Sequence, residues 1–144
     1  MNSRIMTHTT TSPDETFELA AEYARRLKRG DVLALEGELG AGKTRFVQGL
    51  AAGLGVPENV YVRSPSFALL NEYKGGRLTL FHFDFYRLVK QSELMDLGIE
   101  EYMDGDGITV IEWADRFPTA LPARTKHIRF HIVDDNTREI QVVL

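Results

Sequence analysis

Two periodicities alternate along the chain. From Ser12 the apolar positions recur at helical spacing, at Phe17, Ala20, Ala21, Ala24 and Leu27. Ser12 suits the N-cap, Pro13 the first helical position and Glu15 the capping-box position, so a helix is expected to begin at Pro13. Arg25, Arg26, Lys28 and Arg29 are expected in its last turn, where cations complement the helix dipole, with Gly30 as the stop. The next run, DVLALE (Asp31 to Glu36), is short and continuously apolar and reads as a buried strand. Helical spacing returns over Arg45 to Ala52, with Phe46, Val47 and Leu50 apolar, until Gly53, Gly55 and Pro57 end it.

Alternation then takes over. SFALLNEY and RLTLFHFD read as two strands joined by a tight turn at Gly75–Gly76. In the second, Leu78, Leu80, His82 and Asp84 share one face, while Thr79, Phe81, Phe83 and Phe85 share the other, which reads as core. A short helix is expected over Gln91 to Leu97, capped near Ser92. GITVIEW is a strongly apolar strand, and KHIRFHIV and REIQVVL make a closing hairpin around DDNT. Strands alternating with helices, plus two hairpins, predict an α/β domain with a mixed, partly antiparallel sheet.

Composition narrows this picture. A length of 144 residues suits a single domain, expected over 13–144, after a polar, Thr-rich segment, 1–12, expected to be flexible. The chain has no cysteine, which excludes disulfides and Cys-based zinc sites and fits a reducing compartment. Its net charge of −4 does not advertise nucleic acid. No apolar run reaches the roughly 20 residues that span a bilayer. The expectation is a cytoplasmic protein with no membrane partner.

The chemistry centres on GELGAGKT: Gly37, Glu38, Leu39, Gly40, Ala41, Gly42, Lys43 and Thr44. It matches G-x-x-x-x-G-K-[ST] in full, between a strand and a helix. The glycines let backbone N–H groups close on phosphate oxygens, and the helix N-terminus favours anions. Lys43 is expected to reach the β- and γ-phosphates, and Thr44 to place its hydroxyl on Mg²⁺. Hydrolysis also needs a carboxylate near the metal. Glu112, at the C-terminal end of ITVIEW, is expected there as a metal ligand or as the group that orients water; the sequence leaves both open. Asp84 is a second candidate of the same kind. His82, beside it, reads on its own as a structural histidine, and on the same strand face as Asp84 it is also a candidate functional or partner-contacting residue. Ser64, Pro65 and Ser66 occupy the place of a loop that senses the γ-phosphate. Trp113, from the residue alone, reads as core.

GELGAGKT, SPSF, HFDFYRL and IEW, in that order, resemble the TsaE (YjeE) family, the P-loop ATPases of the tRNA threonylcarbamoyladenosine pathway. The resemblance runs from about Pro13 to the C-terminus. It implies a P-loop NTPase-like three-layer domain with a mixed sheet, slow, Mg²⁺-dependent ATP hydrolysis and partnership with the TsaD–TsaB pair, which modifies adenosine 37 of tRNAs reading ANN codons, so that tRNA is met only indirectly. By residue, it implies that Lys43 and Thr44 serve phosphate and Mg²⁺, that Asp84 and Glu112 are functional carboxylates with Glu112 near the metal, and that Trp113 is functional beside them. SPSF matches the family's switch-like loop, with Ser66 where the family usually has Thr. Serine keeps the hydroxyl and loses the methyl that would stiffen it. Two other readings share the cradle: a small P-loop kinase, which needs an acceptor pocket and a lid, and a nucleotide-dependent binding switch with little hydrolysis.

Overall fold

The computed structural model describes residues 4–143. It contains seven strands and four α-helices: β1 (Ile5–Thr10), α1 (Pro13–Ala24), β2 (Val32–Gly37), α2 (Lys43–Gly53), β3 (Leu70–Tyr73), β4 (Leu80–Asp84), α3 (Ser92–Asp96), α4 (Ile99–Met103), β5 (Ile108–Glu112), β6 (Lys126–Ile132) and β7 (Arg138–Val143). The strands form one mixed sheet in the order β1-β7-β6-β2-β5-β4-β3. β6, β2, β5 and β4 run parallel, and β1, β7 and β3 are antiparallel to their neighbours. The expected hairpins are therefore both present, one at each side of the parallel centre.

Strand alternation sorts the core into two layers. Leu33, Leu35, Leu80, Val110 and Ile128 point to the face covered by α1 and α2. Val32, Ala34, Phe83, Phe85 and Ile111 point to the opposite face, against Leu94 of α3 and Ile99 and Met103 of α4. The aromatic face of β4 is core, as its pattern predicts, but His82 and Asp84 on the other face are buried too.

Several boundaries differ from expectation, four of them for a clear tertiary reason. The polar start is not loose throughout: Ile5–Thr10 pair with β7 as an edge strand, from Ile5↔Val143 to Thr10↔Arg138. Thr10 also hydrogen-bonds Thr16 at 2.8 Å, while residues 1–3 lie outside the described part. Helix α1 starts as predicted, with Ser12 Oγ accepting from Glu15 N at 3.1 Å. It stops at Ala24, however, and the basic residues lie beyond its last turn. Arg77 takes over the helix end, donating to Ala24 O at 2.7 Å and Leu27 O at 2.8 Å. β3 begins at Leu70 rather than Ser66, because Leu69 takes a left-handed φ of 68° and donates its N–H to Pro65 O at 2.8 Å. The Gly75–Gly76 turn is a longer loop docked on the end of α2, where Arg77 N donates to Leu54 O at 2.8 Å. Among the described residues no helix is long and apolar enough to cross a membrane.

The α1–α2 contact fixes the cradle's helix. Gly49 and Gly53 lie one turn apart on α2, and a Cβ on Gly49 would come within 2.2 Å of Phe17 O and 2.7 Å of Ala20 Cβ. We expect Gly49→Ala to force the helices apart and cost about 2–3 kcal/mol of stability, read as a lower denaturation midpoint in urea.

Candidate functional site

The parallel centre of the sheet presents the C-terminal ends of β2, β4 and β5 side by side, the place where open α/β sheets gather ligands. β2 runs straight into GELGAGKT. Gly40 and Gly42 hold φ of 81° and 99°, which a side chain would strain, and Gly42 is the N-cap of α2. Gly37 is needed for closeness, since a Cβ there would sit 2.8 Å from Phe130 O. Ala41 is fully buried beneath the loop, whereas Glu38 and Leu39 are exposed on it.

Leu39, Gly40, Gly42, Lys43 and Thr44 line one cleft together with Ser64, Ser66, Asp84, Glu112 and Trp113. Its volume is about 430 Å³, within the range of small-molecule sites. Pro65 is buried under the loop, and His82, fully buried, stands behind Glu112. The two strand-end carboxylates are direct neighbours across the parallel pair, Asp84↔Glu112.

Thr44 Oγ1 donates to Glu112 Oε1 at 3.0 Å and lies 3.1 Å from Oε2. Ser64 Oγ donates to Asp84 Oδ2, and Tyr86 N donates to Asp84 Oδ1 at 2.8 Å. The expected loop hydroxyl therefore meets a carboxylate, and Ser66 lines the cleft beside it. The side chains of Thr44, Ser64, Asp84 and Glu112 all offer oxygen atoms to a ligand. Among the described residues no group of three or more His, Cys, Asp or Glu side chains is arranged to hold a metal alone. A hydroxyl and one carboxylate, completed by phosphate oxygens and water, fit Mg²⁺, which keeps much of its coordination outside the protein.

Lys43 is buried in the cradle. Its ammonium donates to Gly37 O and to Glu38 O, the latter at 3.3 Å, and lies 3.6 Å from the centre of the Trp113 ring. Burial lowers its pKa below the ordinary lysine value, and Glu112, Asp115 and Asp84 oppose that shift in this order. Trp113 is thus more than core. It packs partly against the second hydrophobic layer, with its backbone in the left-handed region at φ 58°, while its ring covers the lysine.

Sequence reasoning missed Tyr73 and Asp115. Asp115 follows Trp113 in a short 3₁₀ turn and adds negative charge near Lys43. Tyr73 O–H donates to Arg63 O at 3.0 Å and lies 2.9 Å from His82 Nδ1. The only clue to Tyr73 was its parity with Asn71 on a strand, and parity names no partner.

A family model described as "Threonylcarbamoyl adenosine biosynthesis protein TsaE" matches residues 10–140. The tRNA threonylcarbamoyladenosine biosynthesis protein TsaE of Bacillus subtilis is 44% identical over 131 residues, covering 91% of this chain and 80% of that protein. The protein of the same name from Treponema pallidum is also 44% identical over 131 residues, covering 91% of this chain and 95% of that one. The crystal structure of Bacillus subtilis YdiB superposes with a TM-score of 0.84 at 36% identity, covering 99% of this chain and 87% of that one.

Proposed function

This chain belongs to the TsaE family, and on that premise we propose that it is a Mg²⁺-dependent ATPase that supports formation of N6-threonylcarbamoyladenosine at position 37 of tRNAs reading ANN codons. Its working partners are the TsaD–TsaB pair, and it meets tRNA only through them. The observation that carries this reading is the hydrogen bond between Thr44, on the cradle, and Glu112, 68 residues away at the end of β5. Glu36, next to last in β2, is another acidic residue, yet its carboxylate is occupied by His127 at 2.7 Å and Arg129 at 3.2 Å.

The roles follow from placement. The N–H groups at the start of α2 and the glycine loop bind phosphate oxygens. Lys43 leaves its carbonyl partners for the β- and γ-phosphates, a stronger counter-charge than a buried carbonyl offers. Thr44 and Glu112 would hold Mg²⁺, which when bound supplies charge neutralisation on the phosphates. Asp84, held by Ser64 and Tyr86 N, orients water on the side of the switch-like loop.

The kinase reading is the alternative, and it requires an acceptor pocket and a lid beside the cradle. The test is phosphate release from ATP by the purified protein alone, with TsaD and TsaB, and with tRNA added. Slow release that rises with the partners is the expected result. Transfer of phosphate to a small acceptor without them would replace this reading with a kinase, and inertness under every condition with binding intact would replace it with a switch.

A further inference from the structure

Behind Glu112 a line of buried side chains leads away from the cleft and ends on the backbone of the Arg63–Ser66 loop. His82 Nε2 lies 2.6 Å from Glu112 Oε2. The other ring nitrogen, Nδ1, lies 2.9 Å from the Tyr73 hydroxyl. That hydroxyl donates to Arg63 O at 3.0 Å and accepts from Arg63 N at 3.3 Å, so both polar groups of one loop residue converge on a single oxygen. Asn71 Nδ2 adds a 3.2 Å bond to Arg63 O. His82 is fully buried and Tyr73 is 3% exposed, so water is a poor substitute for the contact between these two rings. Burial also raises the Tyr73 pKa, so the phenol keeps its proton and remains a donor at neutral pH.

We propose that Tyr73 is a positioning residue that, through His82, couples the placement of the Arg63–Ser66 loop to the orientation of the Glu112 carboxylate. The inference rests on the reading of Glu112 as the carboxylate of the nucleotide site. The geometry makes the coupling two-way. Rotating Glu112 off His82 frees the imidazole to tilt, and a tilted ring withdraws Nδ1 from Tyr73. Moving the loop takes both Arg63 groups from the same hydroxyl. The next loop residue, Ser64, touches the neighbouring carboxylate, Asp84, directly. One short segment therefore addresses both strand-end carboxylates, one by contact and one through two buried rings. This gives the loop a way to report its own position to Glu112 without entering the cleft.

Amide hydrogen exchange on the full chain without nucleotide tests the coupling. The proteins are wild type, Tyr73→Phe, Glu112→Gln and the double variant. Glu112→Gln is expected to speed exchange of the Arg63 amide by about threefold or more when Tyr73 is present, and to leave it unchanged in the Tyr73→Phe background. An equal effect in both backgrounds, or none in either, overturns the proposal. In the partner-stimulated assay Tyr73→Phe is expected to lower kcat about tenfold, with KM for ATP within about twofold and the melting temperature within about 3 °C. His82→Gln combined with it should fall no lower than the weaker single variant. A drop in melting temperature with kcat unchanged would make Tyr73 merely structural. If the wild-type protein hydrolyses no ATP, the ATPase reading fails, while the exchange experiment still decides the coupling.

Discussion

Glu112→Gln is expected to lower ATP turnover by about two to three orders of magnitude, equivalent to about 3–4 kcal/mol of lost transition-state stabilisation. Glutamine keeps the side chain's size but exchanges the charge-assisted contact with His82 for a weaker neutral one, so the fold should survive while the grip on His82 loosens. What it removes is a full negative charge at a site only 3% exposed, where charge acts through protein more than through water. Nucleotide binding without Mg²⁺ should change little, because the cradle's N–H groups and Lys43 are untouched. Glu112→Ala should add a structural penalty, since the fully buried His82 Nε2 loses its partner; an orphaned buried group costs about 1–3 kcal/mol. Single-turnover hydrolysis, nucleotide affinity and thermal melting, measured on both variants, separate these effects. Turnover that survives Glu112→Gln would assign the chemistry to Asp84 instead.

Lys43→Ala should be nearly as severe by a different route. It removes the cradle's own ammonium, which Glu112, Asp115 and Asp84 all attract. Affinity for a nucleoside triphosphate should fall about tenfold to a hundredfold, and turnover about a thousandfold. The only tryptophan supplies the readout: Trp113 sits 3.6 Å from the Lys43 ammonium. Departure of the lysine to phosphate should change Trp113 fluorescence in the wild-type protein, and the alanine variant should lose that response. Normal tRNA modification in a strain carrying only Lys43→Ala would contradict the mechanism.

These predictions use residues that differ in how far the sequence reveals them. Gly40, Gly42, Lys43 and Thr44 are legible because a phosphate loop is made by consecutive residues, and its backbone demands write themselves as glycines. Glu112 and Asp84 are legible at one remove, since an apolar strand ending in a carboxylate marks the end of a sheet where ligands gather. Trp113 is half legible: a lone tryptophan announces burial, while its position over Lys43 depends on a left-handed turn after β5 that no local pattern signals.

The amino-acid order by itself determined the glycine-rich loop, the start of α1 and the strands of the two hairpins, because each depends on neighbours within a few residues. Only the tertiary structure decided which of those parts meet. The parallel register of β4 on β5 sets Asp84 against Glu112, and the antiparallel register of β3 on β4 sets Asn71 against His82, with Tyr73 on the same face. A shift of one residue in either ladder would turn these side chains to the opposite layer. The same holds for Ile5–Thr10, too polar to read as core yet paired along β7 as an edge strand. It holds too for Arg77, which ends α1 from across the molecule. Such contacts join residues far apart in the chain. Their energies come from burial and paired hydrogen bonds that exist only once the whole sheet has formed.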